Sequence, residues 1–204
     1  MKYNNEFNDA ANKLIMTGKL IDSKGWVPAT SGNFSIRLTD NNIAITVSGK
    51  HKGYLVTDDI MLINANADSL DGKKPSAETL LHTSIYQRYS HVRAVLHPHS
   101  LNSVVLSKIY HDKIVLKDYE LLKAFSHLTT HESELVIPIF NNDQNIQRLA
   151  ELIDHYFTQH TCYAYIIAGH GLYTWGETID IAYRQLEALD FLFACELQRS
   201  TLKH

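Results

Sequence analysis

Short β-rich runs and amphipathic helical stretches alternate along the whole of this 204-residue chain, and that interleaving leaves few architectures open. From Asn5 to Ser23, Phe7, Ala10, Ala11, Leu14 and Ile21 recur at helical spacing, and Gly25 supplies the stop. Phe34 to Leu38 and Ile43 to Val47 read as strands joined by a hairpin at Asp40-Asn41-Asn42. Another strand is expected within Tyr54 to Asn64. Pro75-Ser76 opens a helix running to Tyr89. Ala94 to His97 is a short apolar strand, Leu101 to Ile109 a helix, and Tyr119 to Phe125 a second short helix. Leu135 to Phe140 reads as a strand placed at a sheet edge by Pro138, because proline cannot donate to a ladder. Asn145 to Phe157 is an amphipathic helix. Tyr163 to Ala168 and Leu172 to Trp175 are strands around a Gly169-His170-Gly171 turn, and Glu177 to Gln198 closes the chain as a long helix. The pattern is that of a mixed α/β domain with a largely antiparallel sheet covered by helices.

No repeat, low-complexity tract or linker interrupts the chain, so residues 1–204 read as one domain. A net charge of -3 gives no general attraction to nucleic acid or an anionic membrane, so any anion site must be local. The polar start from Met1 to Asn12 lacks the apolar core of a secretory signal. Cys162 and Cys195 have no CxxC spacing and nothing requires them to pair. A cytoplasmic setting is expected.

Histidine is over-represented, with 12 residues. His97-Pro98-His99 sets two imidazoles at i and i+2, on one side of an extended segment. Neutral imidazole suits Zn²⁺, and a catalytic zinc typically keeps three protein ligands and one open position. His170, flanked by glycines in a turn that permits close backbone approach, is the candidate third ligand. A His-x-His pair also arises by chance at a strand end. His51 and His82 have weaker claims.

Three stretches could bind an anion. Thr30-Ser31-Gly32-Asn33 offers hydroxyls and backbone N–H groups. Ser48-Gly49-Lys50-His51-Lys52-Gly53 adds positive charge. Lys74-Pro75-Ser76 stands at a predicted helix N-terminus. Each alone also reads as a turn, a loop or a cap. No segment fits GxxxxGK[ST] or GxGxxG, so a nucleotide is not expected, and no HExxH or serine nucleophile elbow is present.

In order, Thr30-Ser31-Gly32-Asn33-Phe34-Ser35, Ser48-Gly49-Lys50, Pro75-Ser76-Ala77-Glu78, His97-Pro98-His99 and Gly169-His170-Gly171 resemble the motifs of the class II aldolase/adducin-head family, from about Gly25 to Gln198. The resemblance implies a three-layer α/β/α fold with a central, mainly antiparallel sheet. It also implies a homotetramer with active sites near subunit interfaces and one Zn²⁺ per subunit on His97, His99 and His170. Phosphate would be held by Ser31, Asn33, Ser48, Gly49, Lys50 and Ser76. Within the family the likeness is to its water-eliminating members, which implies a hydro-lyase acting on 5-(methylthio)ribulose 1-phosphate in methionine salvage. In those members the acid/base glutamate falls on Glu120. Glu78 matches the catalytic glutamate of the sugar-phosphate aldolases and would support it. The alternatives are an aldolase or 4-epimerase of fuculose, rhamnulose or ribulose phosphates that uses Glu78, and a non-catalytic adducin-like interaction module. The three histidines weigh against the last.

Overall fold

In a computed structural model the chain is described over residues 4–202, so the first residues of the polar start lie outside the described residues. Helix α1 (Asn5–Ser23) is capped by the Asn4 side chain on the Phe7 amide and leads into strand β1 (Asn33–Arg37). The Asp40 carboxylate accepts from the Asn42 amide, and Asn41 takes a positive φ of 65°, closing the predicted hairpin to β2 (Ile43–Thr46). Strands β3 (Ile60–Ile63), β4 (Ala94–His97), β5 (Lys113–Lys117), β6 (Glu134–Phe140), β7 (Ala164–Ile167) and β8 (Gly171–Gly176) complete an eight-stranded sheet. Its order is β3-β2-β1-β4-β8-β7-β6-β5, and every neighbouring pair is antiparallel except β6 with β7.

Side chains alternate across this sheet. Phe34, Leu96, Ile166 and Leu172 point into one core with Leu14 of α1, Leu106 of α3 (Leu101–Ile109) and Leu189 of α5 (Ile179–Thr201). Ile45, Val95, Tyr165 and Tyr173 point into another with Ile85 of α2 (Thr79–Arg88) and Ile153 of α4 (Ile146–Gln159). Helices therefore cover both faces, giving the three layers expected of the α/β/α arrangement.

The strand expected within Tyr54 to Asn64 is β3, reached after two short 3-10 turns (Lys52–Tyr54 and Thr57–Asp59). Other local expectations need correction. The helix expected from Pro75 starts at Thr79, with Glu78 as its N-cap rather than in its first turn. The helix expected at Tyr119 to Phe125 is a 3-10 segment (Glu120–Ala124). Strand β5 is an addition to the expected elements; its exposed Lys113, Val115 and Lys117 alternate with buried Ile114 and Leu116, and it forms the edge in place of β6. Pro138 is tolerated inside the sheet because Ile139, not Pro138, donates toward the β5 side, and the short ladder to β7 starts only at Ile139. Among the described residues no helix is long and apolar enough to cross a membrane, and Cys162 and Cys195 are free thiols.

Candidate active site

The site grows from one end of β4. In the ladder Asn33 of β1 stands opposite His97, the last residue of β4, and the β7–β8 turn brings His170 beside both. Pro98 carries the chain outward: its carbonyl accepts from Leu172 N–H at 3.0 Å, and His99 N–H donates to Trp26 O at 2.8 Å. Two glycines make the convergence possible. A Cβ on Gly171 would stand 2.5 Å from the Pro98 carbonyl and 2.8 Å from ring atoms of both His97 and His99. At Gly32, φ is +75° and a Cβ would stand 2.6 Å from the His97 carbonyl.

One ligand atom from each of His97, His99 and His170 lies within 4.8 Å of the other two. The fully buried His97 donates from Nδ1 to the Leu172 carbonyl at 2.9 Å, and its ring stacks on Tyr173 with centroids 4.0 Å apart. A carbonyl can only accept, so His97 carries a proton on Nδ1 and turns Nε2 toward the cluster. The His99 Nε2 is 3.0 Å from it. Burial pushes the His99 imidazole down to about 3, reinforced by His97 and His170. Three imidazoles that each bring a ring nitrogen to one point are a donor set that fits a divalent cation.

Glu78 is drawn into the same cluster. Its Oε1 is 2.8 Å from His170 Nε2, its Oε2 accepts from Asn33 Nδ2 at 2.6 Å, and Oε2 stands 3.7 Å from His97 Nε2. Burial works against its charge, but the His170 and His97 rings prevail and hold the carboxyl far below the ordinary carboxylate range.

A cleft of about 230 Å³ opens beside this cluster. Of the residues singled out from sequence, Ser31, Asn33, Ser48, Gly49, Ser76, Glu78, His99 and His170 line it. Lys50 does not: its ammonium is half-exposed and pairs with Asp59 at 2.9 Å. Glu120 does not either. It is exposed, pairs with Lys123 at 2.6 Å, and borders a separate groove against α5 together with Leu121 and Phe191.

Two further residues belong to the site's framework. Lys52 is buried, and its ammonium donates to the carbonyls of Thr30 at 3.0 Å and Lys50 at 2.6 Å, tying the two anion loops together. Burial pushes its ammonium down to about 8, with Glu78 opposing the shift. His82, fully buried, bonds the Asn33 side chain. Its sequence signal is the i, i+4 spacing from Glu78, which sets both on one helix face.

The sequence model described as "Class II Aldolase and Adducin N-terminal domain" matches residues 12–197. A curated methylthioribulose-1-phosphate dehydratase of Methylococcus capsulatus is 54% identical over 202 residues, covering 98% of this chain and 99% of that one. One from Pseudomonas syringae pv. tomato is 50% identical over 195 residues, covering 94% and 96%. Among solved structures, the L-fuculose-1-phosphate aldolase from Thermus thermophilus superposes with a TM-score of 0.75 at 22% identity, covering 97% of this chain and 98% of that one. YgbL from Klebsiella pneumoniae, a putative aldolase/epimerase/decarboxylase by its description, gives a TM-score of 0.81 at 19% identity and covers 96% and 91%. Those two likenesses concern the fold; with the family match and the near-full-length relatives, they lead to one assignment. The chain belongs to the class II aldolase and adducin family.

Proposed function

We propose that this chain is a metal-dependent hydro-lyase that converts 5-(methylthio)ribulose 1-phosphate to 5-methylthio-2,3-dioxopentyl phosphate and water, a step of methionine salvage. The observation that carries the reading is the convergence of His97, His99 and His170 at the rim of a hydroxyl- and amide-lined cleft, in a chain half identical to dehydratases of that name along nearly their whole length. Zn²⁺ is the ion proposed; bound by the three imidazoles, it would supply Lewis-acid stabilisation of the oxygen on which negative charge builds.

The chain's own groups would do the rest. Ser31, Ser48, Gly49 and Ser76 anchor the phosphate, with Lys52 holding the first two loops together from below. Anchoring a remote group lets binding energy go into orienting the reacting carbons. Glu78 is an anionic support beside the cation. Its two oxygens are engaged by His170 and Asn33, and its strongly favoured ionised form makes it a poor base. Glu120 takes the proton from C3 and returns one to the departing C4 hydroxyl. Because it lies outside its own cleft, it acts on the cleft of a neighbouring copy within a homotetramer. Its groove supports this assembly: Phe191 and Leu121 are exposed there by 59% and 39%, apolar surface that a second copy would cover.

The second reading, C–C cleavage of a sugar phosphate, draws on one observation: the cleft carboxylate is Glu78 and not Glu120. Product analysis separates the two. Incubation with 5-(methylthio)ribulose 1-phosphate should yield the dehydrated diketone and no smaller fragments. Cleavage of fuculose 1-phosphate or a related ketose phosphate, with the methylthio substrate untouched, would reverse the order.

A further inference from the structure

Helix α2 and strand β1 meet along a buried polar line. Glu78, His82 and Tyr86 are four residues apart and share one side of α2, while Asn33 and Ser35 alternate to one side of β1. His82 and Ser35 are fully buried, and Tyr86 and Asn33 nearly so. From the site inward, Asn33 Nδ2 is 2.6 Å from Glu78 Oε2, and Asn33 Oδ1 bonds His82 Nε2. His82 Nδ1 is 2.7 Å from Ser35 Oγ, which is 2.8 Å from the Tyr86 hydroxyl.

Followed from Glu78, each link has only one possible direction. The Asn33 Nδ2 donates to Glu78 Oε2, so its amide oxygen is the atom presented to His82. An amide oxygen only accepts, so the His82 proton is on Nε2. Burial pushes the His82 imidazole down to about 3, so the ring is neutral and Nδ1 carries a bare lone pair. Ser35 must then donate to Nδ1 and accept from Tyr86, whose phenol burial keeps protonated.

We propose that Tyr86, Ser35, His82 and Asn33 form a one-way hydrogen-bond relay ending on Glu78, and that His82 is a positioning residue that fixes the Asn33 amide with its NH₂ toward the cluster. The inference rests on the reading of Glu78 as the anionic support beside the cation. It has a consequence for ligands. Asn33 turns its oxygen inward to His82 and gives one N–H to Glu78, so its remaining N–H is the group it offers the cleft. That wall of the site therefore takes a phosphate, carboxylate or carbonyl oxygen.

The test needs no substrate. Neutron diffraction from the perdeuterated full-length protein should show a deuteron on His82 Nε2 alone, the Asn33 ND₂ on Glu78, and the Ser35 deuteron aimed at His82 Nδ1. A deuteron on Nδ1, a doubly deuterated ring, or the Asn33 oxygen toward Glu78 would overturn the relay. A kinetic arm tests positioning. His82→Leu should lower kcat/KM by about 10- to 100-fold, the usual effect of losing an outer partner of a metal site. His82→Gln, which keeps a donor nitrogen for Asn33, should recover most of that loss. Equal losses in two variants of equal thermal midpoint would deny His82 a positioning role. If the wild-type protein dehydrates nothing, the activity reading fails while the deuteron positions still decide the relay.

Discussion

The Nε2 atoms of His97 and His99 stand 3.0 Å apart, although His97 already spends its ring proton on the Leu172 carbonyl. Two lone pairs at that separation repel unless a proton or a cation lies between them. His97→Ala should therefore lose metal and activity together, with metal content read by elemental analysis of the dialysed protein. Stoichiometric metal in that variant would show that the ion is held elsewhere.

Glu120 borders the α5 groove and is missing from the cleft, so its proposed role requires a second copy. Glu120→Gln should cut turnover by about 100- to 10,000-fold, the range for a positioned acid/base, with metal retained. Hybrids of Glu120→Gln with His97→Ala chains should regain activity, because one chain supplies the intact cleft and the other the carboxylate. Mixed oligomers as inactive as either parent would place Glu120 outside the chemistry or inside its own subunit's site.

Lys52 clamps the carbonyls of Thr30 and Lys50. A charged hydrogen bond of this kind is worth about 1.5–3 kcal/mol, so Lys52→Met should weaken inhibition by inorganic phosphate by about 10- to 100-fold. Metal content should not change. Unaltered phosphate inhibition would mean that the two loops keep their places unaided.

Burial holds the His82 imidazole down at about 3, against an ordinary value of 6.5. Between those values the unfolded chain takes up a proton that the folded chain refuses, so this group makes stability fall as pH drops from 6.5 toward 3. The effect is on the order of a few kcal/mol. His82→Gln should flatten that part of the curve in denaturant titrations at stepped pH. An acid limb as steep as that of wild type would show that other groups carry it.

Much of the site was legible because its chemistry is local in sequence. His97 and His99 are two apart on an extended segment, and the glycines around His170 announce a turn that something must approach closely. The hairpin at Asn41 and the helix over Asn5–Ser23 followed from turn chemistry and period alone. What escaped was set by tertiary context. Strand β5 is only five residues long with a lysine at each end, and β6 has to pair with it before it is an edge strand. Lys50 and Lys52 are indistinguishable by residue type, yet one faces solvent beside Asp59 and the other lies under the anion loops. The relay was encoded in two periods, Glu78-His82-Tyr86 and Asn33-Ser35, but its meaning depended on α2 packing against β1.

The most direct measurement is a metal titration of turnover. Protein stripped with a chelator is titrated with Zn²⁺ while water loss from 5-(methylthio)ribulose 1-phosphate is followed. The account predicts no turnover without metal and a linear rise that levels off at about one equivalent per chain, as expected for a single three-histidine site. Full dehydration by the stripped protein, with chelator still present, would contradict it.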